Sequence, residues 1–130
     1  EKNIDQINLI GNHEYLSKVE EGYQNMKRIF EIFGLPDAVC AVSDLMAVGS
    51  IEYLTNNGYL VPNDVSVIGF DDLDICNVVK PKLTTLKQDG AKIGQKAASS
   101  LLSMLDKKIL KFDSIVIENE IIVRDSCKKK

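Results

Sequence analysis

Two apolar rhythms alternate along this chain. Ile7, Asn8, Leu9 and Ile10 read as a short strand before Gly11. Val19, Tyr23, Met26, Phe30 and Phe33 then recur at intervals of four, three, four and three, which is one face of a helix. Gly34 and Pro36 end it, the first as a C-cap and the second as a residue that cannot continue the helix. Ala38 to Val42 is a continuous apolar run and predicts a strand covered on both faces. Ser43 or Asp44 can cap the next helix, which carries Met46, Ala47, Val48, Ile51 and Leu54 and stops at Asn56-Asn57-Gly58. After the turn chemistry of Val61-Pro62-Asn63-Asp64, Val65 to Phe70 predicts a third strand. Asp71 to Lys82 is polar and irregular, and Leu83 to Leu86 is extended. Ile93, Ala97, Leu101, Met104 and Leu105 mark a third long helix, and Ser114 to Val123 predicts a closing strand.

Short strands alternating with longer helices predict βαβ units and an α/β fold built on a parallel sheet. In such sheets ligands bind beyond the carboxyl ends of the strands. That rule singles out Gly11-Asn12-His13, Ser43-Asp44 and Asp71-Asp72, three loops expected to open on one edge.

Composition narrows the field. The chain has 130 residues, 45% hydrophobic and 27% charged, which is an ordinary globular balance for one domain. No apolar run reaches the ~18–20 residues that a membrane helix needs, and Glu1 to Asp5 lacks the apolar core of a signal peptide. A net charge of −3 opposes a grip on phosphate backbones by this segment, and Lys128-Lys129-Lys130 reads as a solvated terminus. Cys40, Cys76 and Cys127 are odd in number and widely spaced, without metal-ligand or disulfide spacing. They read as reduced thiols, with Cys40 a small buried hydrophobe.

Catalytic chemistry finds little support. His13 is the single histidine, and no serine sits in a GxSxG elbow. No Walker loop, GxGxxG turn or HExxH pair is present, so neither a cofactor nor a metal is expected. Asp71 and Asp72 could hold a cation, accept a phosphoryl group or hydrogen-bond hydroxyls, against the simpler reading of a solvated acidic loop. Neighbours on an extended chain point opposite ways, so only one of the two should face a given pocket. Met46, Val48 and Ile51 are most simply core.

Four stretches carry a family resemblance. Pro36 to Gly49, PDAVCAVSDLMAVG, resembles the "pdAvfa-ND-mA-G" stretch of lactose-repressor/galactose-repressor (LacI/GalR) regulators. Gly58 to Asp72, GYLVPNDVSVIGFDD, resembles their "G-x-x-VP-x-D-x-S-V-x-GFDD" signature. Pro81 to Gln88, PKLTTLKQ, resembles "P-x-LTT-x-x-Q", with Gly94 at the helix glycine, and Glu120 to Ser126 resembles the closing "L-x-V-R-x-S". The motifs fall in family order across residues 36–126.

The resemblance implies a periplasmic-binding-protein-like type I fold, a parallel sheet sandwiched by helices, of which this chain covers mostly the C-terminal lobe. Residues 1–87 would form most of that lobe, and 88–112 would cross to pack a helix on the other lobe. Residues 113–126 would return as a strand, and 127–130 would be tail. It further implies a small-molecule effector, a sugar or related metabolite, bound between the lobes. A homodimer would contact operator DNA through an N-terminal helix-turn-helix outside this chain, in the cytoplasm, without catalysis and without membrane contact. Asp71 matches the effector-contacting carboxylate, Ser43 stands where asparagine is common, Gln88 matches a pocket glutamine, and Tyr15 is the aromatic after the first strand. Val48, Val79 and Ile51 are expected at the dimer interface. The alternative is a sugar-binding protein of a transporter; a phosphoryl-accepting domain using Asp71 and Asp72 is more distant.

Overall fold

A computed structural model of the chain describes residues 17–107 and 114–128. The element order is α1 (Lys18–Phe33), β1 (Ala38–Cys40), α2 (Asp44–Asn56), β2 (Ser66–Asp71), a 3₁₀ turn (Asp74–Asn77), β3 (Thr84–Lys87), α3 (Gly90–Lys107) and β4 (Glu120–Ile122). The expected strand at Ile7 to Ile10, His13 and Tyr15 lie outside the described residues.

Local chemistry sets the helix ends. Ser17 accepts from the Glu20 amide at 3.2 Å, and Glu20 and Glu21 in the first turn complement the helix dipole. At the other end the Gly34 amide donates to the Phe30 carbonyl. Ser43, rather than Asp44, caps α2, accepting from the Met46 amide at 3.4 Å. Its own backbone is extended, with φ −153°.

The strands lie in the order β1-β2-β3-β4. β1 pairs with β2 and β2 with β3 in parallel, while β4 runs antiparallel to β3. The sheet is therefore mixed, not wholly parallel: the chain returns beside β3 with its direction reversed. α2 packs on β2 and against α1. Two glycines permit that helix contact. A Cβ on Gly49 would lie 1.9 Å from the Val19 carbonyl oxygen, and one on Gly22 would lie 2.2 Å from that of Met46. The core is Met26, Ala47, Ile51, Tyr53, Leu54, Val65, Val67, Cys76 and Leu83. Tyr53 adds an edge-on contact to Tyr23, with centroids 5.3 Å apart.

Several expectations need correction. The strand expected over Ala38 to Val42 is shorter and alternates exposed, half-buried, exposed, because β1 is the edge strand of the described sheet. Cys40 is consequently exposed, not buried. The closing strand shrinks to Glu120–Ile122 because its ladder with β3 begins at Lys87↔Glu120, and β3 ends there. Ile115, Ile121 and Val123 remain exposed. Ile51 is 2% exposed in the core, so its side chain serves packing and offers no surface to a second subunit. α3 forms where its periodicity predicts, but Leu101, Leu102 and Leu105 stay open to solvent.

Candidate functional site

Three parallel strands end on one edge of the sheet, and each ending carries a residue that the sequence singled out. Ser43 follows β1, Asp71 closes β2, and Gln88 follows β3. Ser43 is half-buried, with its Oγ committed to the α2 cap. Gln88 is exposed, and Asp71 is half-buried, with Lys87 as its register partner across the ladder.

Beneath this edge lies Asp44, which the sequence offered as a possible cap and as part of a strand-end loop, without showing that it is buried. It is fully buried and accepts from the Leu73 amide at 2.7 Å and from the Thr85 hydroxyl at 2.5 Å. It therefore ties α2, the loop after β2, and β3 at one point. The geometry requires glycine on β2, since a Cβ at Gly69 would sit 2.3 Å from Asp44 Oδ1. Cys76 hydrogen-bonds Asp44 as well. Burial first, then that bond and the carboxylate's charge, push the thiol up to about 12, so it stays protonated.

The turn out of β2 is unusual. Asp71 has φ 116° and Asp72 has φ 61°, both in the region that side-chain-bearing residues seldom adopt. Such conformations cost about 1–3 kcal/mol each and persist where neighbours hold them. Asp72 turns to Arg124, whose Nη2 donates to its Oδ1 at 2.7 Å, with Lys87 Nζ at 3.9 Å from the other oxygen. Asp71 makes no side-chain hydrogen bond or ion pair among the described residues. Burial, and then the charge of Asp44, hold its pKa above the ordinary aspartate value. An unpaired, partly desolvated carboxylate of this kind is a strong acceptor awaiting donors.

Arg124 is a candidate that sequence reasoning missed. Its signal was present in the closing Val123-Arg124-Asp125-Ser126, but nothing in that string tells which loop the guanidinium reaches. Ser126, fully buried, donates to the Val67 carbonyl at 2.6 Å and accepts from the Thr84 amide at 2.8 Å, lashing this segment across β2 and β3.

A separate apolar groove of about 290 Å³ lies between α1 and the β1–α2 junction, lined by Met26, Ile29, Val39, Val42 and Met46 among others. None of Ser43, Asp71 and Gln88 lines it. Val48 and Val79 are both half-buried, and Val79 packs against the core. Among the described residues no group of three or more His, Cys, Asp or Glu is placed to hold a metal ion, and no helix is long and apolar enough to cross a membrane.

A mostly parallel sheet flanked by helices, with polar residues gathered at the carboxyl edge, defines an α/β ligand-binding domain. Residues 4–127 match the periplasmic binding protein-like domain family. Among curated relatives, the HTH-type transcriptional repressor PurR of Mannheimia succiniciproducens is 38% identical over 110 residues, 85% of this chain and 33% of that protein. The probable HTH-type transcriptional repressor ExuR of Bacillus subtilis is 36% identical over 121 residues, 90% of this chain and 36% of that protein. Solved structures agree. A LacI family regulator from Enterococcus faecium with bound ribose superposes at TM-score 0.69 with 29% identity, covering 84% of this chain and 40% of that one. The lac repressor dimer bound to operator and the anti-inducer ONPF superposes at 0.76 with 28% identity, covering 84% and 38%. The chain belongs to the periplasmic binding protein-like domain family, and it is similar to a stretch of LacI-family repressors. It spans about a third of the length of the curated relatives it matches.

Proposed function

We propose that this chain is the effector-binding and dimerisation region of a cytoplasmic DNA-binding repressor that senses a sugar or related metabolite. The observation that carries the reading is Asp71. Its carboxylate, unpaired among the described residues, stands at the carboxyl edge of β2 between Ser43 beyond β1 and Gln88 beyond β3. A carboxylate accepting from two hydroxyls orients a sugar, with Ser43 and Gln88 supplying further polar contacts and Tyr15 an apolar face. Ser43 offers a hydroxyl rather than an amide, which favours a ligand making a shorter contact there. The second wall belongs to a lobe that residues 88–112 reach. Closure of the two lobes on the effector alters the affinity of the helix-turn-helix heads for operator, a coupling between sites of typically ~1–3 kcal/mol. Val48 and Val79 contribute to the dimer contact.

The names of the relatives support a regulator rather than a transporter's binding protein, since PurR and ExuR are both repressors. The test is a thermal-shift screen of the full-length protein with ribose, other sugars, sugar phosphates and nucleobases, followed by calorimetry on Asp71→Ala. Loss of binding in a folded Asp71→Ala protein is expected. Unchanged affinity in that variant removes Asp71 from the site.

A further inference from the structure

We propose that Arg124 is the positioning residue for Asp71: from the segment after β4 it holds, through Asp72, the turn that presents the Asp71 carboxylate at the sheet edge. The proposal rests on the reading of Asp71 as the ligand-facing carboxylate.

The guanidinium uses all three of its nitrogens. Nη2 donates to Asp72 Oδ1 at 2.7 Å, Nη1 to the Leu83 carbonyl at 2.9 Å, and Nε to Asn77 Oδ1 at 3.1 Å. One side chain thus bridges the turn after β2, the 3₁₀ turn and the entry to β3. Both members of the ion pair are largely shielded, with side-chain exposures of 13% and 15%. Arg124 is itself fixed, since its backbone amide donates to Thr84 Oγ1 at 2.9 Å and Thr84 is buried.

On the far side of the turn, the Leu73 amide is pinned to Asp44 Oδ2 at 2.7 Å. Asp71 and Asp72 keep φ 116° and 61°, and the chain just beyond Asp71 is held at two successive residues, Asp72 by a cationic anchor and Leu73 by an anionic one, while Asp71 itself pairs with Lys87 in the ladder. Neither anchor touches the Asp71 carboxylate, which is left open for a ligand. Lys87 cannot replace Arg124: its ammonium is 3.9 Å from Asp72, half-exposed, and carries no fork. Without Arg124 the turn relaxes to an ordinary backbone conformation, and the Asp71 side chain moves out into solvent.

The test compares Arg124→Gln and Arg124→Lys with the wild-type full chain, following the Asp71 carboxyl by carbon NMR as pH is varied and ribose binding by calorimetry. Among the described residues, the titratable and charged groups of this turn are Asp44, which acts on Asp71 directly, its ladder partner Lys87, its neighbour Asp72 with Arg124, and Cys76 beside Asp44. Electrostatics alone predicts that removing a cation raises the Asp71 midpoint. Relaxation of the turn predicts the opposite, because resolvation removes the burial that raises it. We expect the midpoint to fall in both variants, since a lysine keeps the charge but cannot span three acceptors. Ribose affinity is expected to fall at least about tenfold in parallel. A folded variant whose Asp71 midpoint stays at or above the wild-type value overturns the proposal. Where Arg124→Gln does not fold, the charge-retaining Arg124→Lys decides it. Absence of ribose binding to wild type speaks against the ligand class alone, and the titration still decides the role of Arg124. Full affinity in Asp71→Ala speaks instead against the site.

Discussion

At the residue scale, the loop after β2 gives up stability for a ligand-ready geometry. Asp71 is held above the ordinary aspartate value of 3.8 by burial and by Asp44. A carboxyl raised in the folded state stabilises below its unfolded pKa and loses that contribution as pH rises through its folded pKa. At neutral pH, Asp71→Asn should therefore melt higher than wild type while binding ligand poorly. The gap should close as pH falls below about 3.8, which melting curves across acidic pH check. Gly69 makes the opposite case. Gly69→Ala drives a methyl to within 2.3 Å of Asp44 Oδ1 and 2.9 Å of Leu83, so urea denaturation should show a loss of roughly 1–3 kcal/mol. Cys76, fully buried and protonated, should resist alkylating reagents until the protein unfolds.

At the scale of elements, the two-helix layer depends on small residues where backbones meet. Gly49→Ala should separate α1 from α2 and cost roughly 1–3 kcal/mol, whereas Leu54→Ala, which removes a fully buried side chain, should cost ~2–5 kcal/mol. Urea unfolding of both variants gives the comparison. α1, α2 and β2 were legible in the sequence because their own periodicity and caps determine them. Met26 and Leu54 fall on the buried faces that the spacing predicts. Burial of β1 was not legible, because an apolar run does not say whether a strand is central or at an edge, and Cys40 lies exposed for that reason. The last strand was over-extended because an apolar phase makes a strand only where a partner continues, and β3 stops at Lys87. The site was half legible. Strand-end logic singled out Ser43 and Asp71, and the family resemblance Gln88, whereas Asp44 and Arg124 act through contacts 29 to 52 residues away in sequence, which no local pattern records.

At the scale of the molecule, the chain spans about a third of its relatives' length, and Leu101, Leu102 and Leu105 are among the apolar residues exposed on its surface. Val48 is the cleaner probe of self-association, since Val79 also supports the core. At the proposed dimer contact Val48→Asp would bury an unpaired charge, and the dissociation constant of the full-length protein's self-association should rise at least about tenfold. Sedimentation that finds the wild-type dimer unaltered removes Val48 from the interface.

The pairing of Lys87 with Glu120 places the departure and the return of residues 88–119 side by side on adjacent strands. Two backbones leaving from one hydrogen-bonded ladder act as a two-leaf flexure. Bending across the pair leaves the ladder intact, while torsion shears it. On the proposed reading, in which the intervening segment reaches a second lobe, that pair would confine the lobe to one arc and leave the effector a single angle to set.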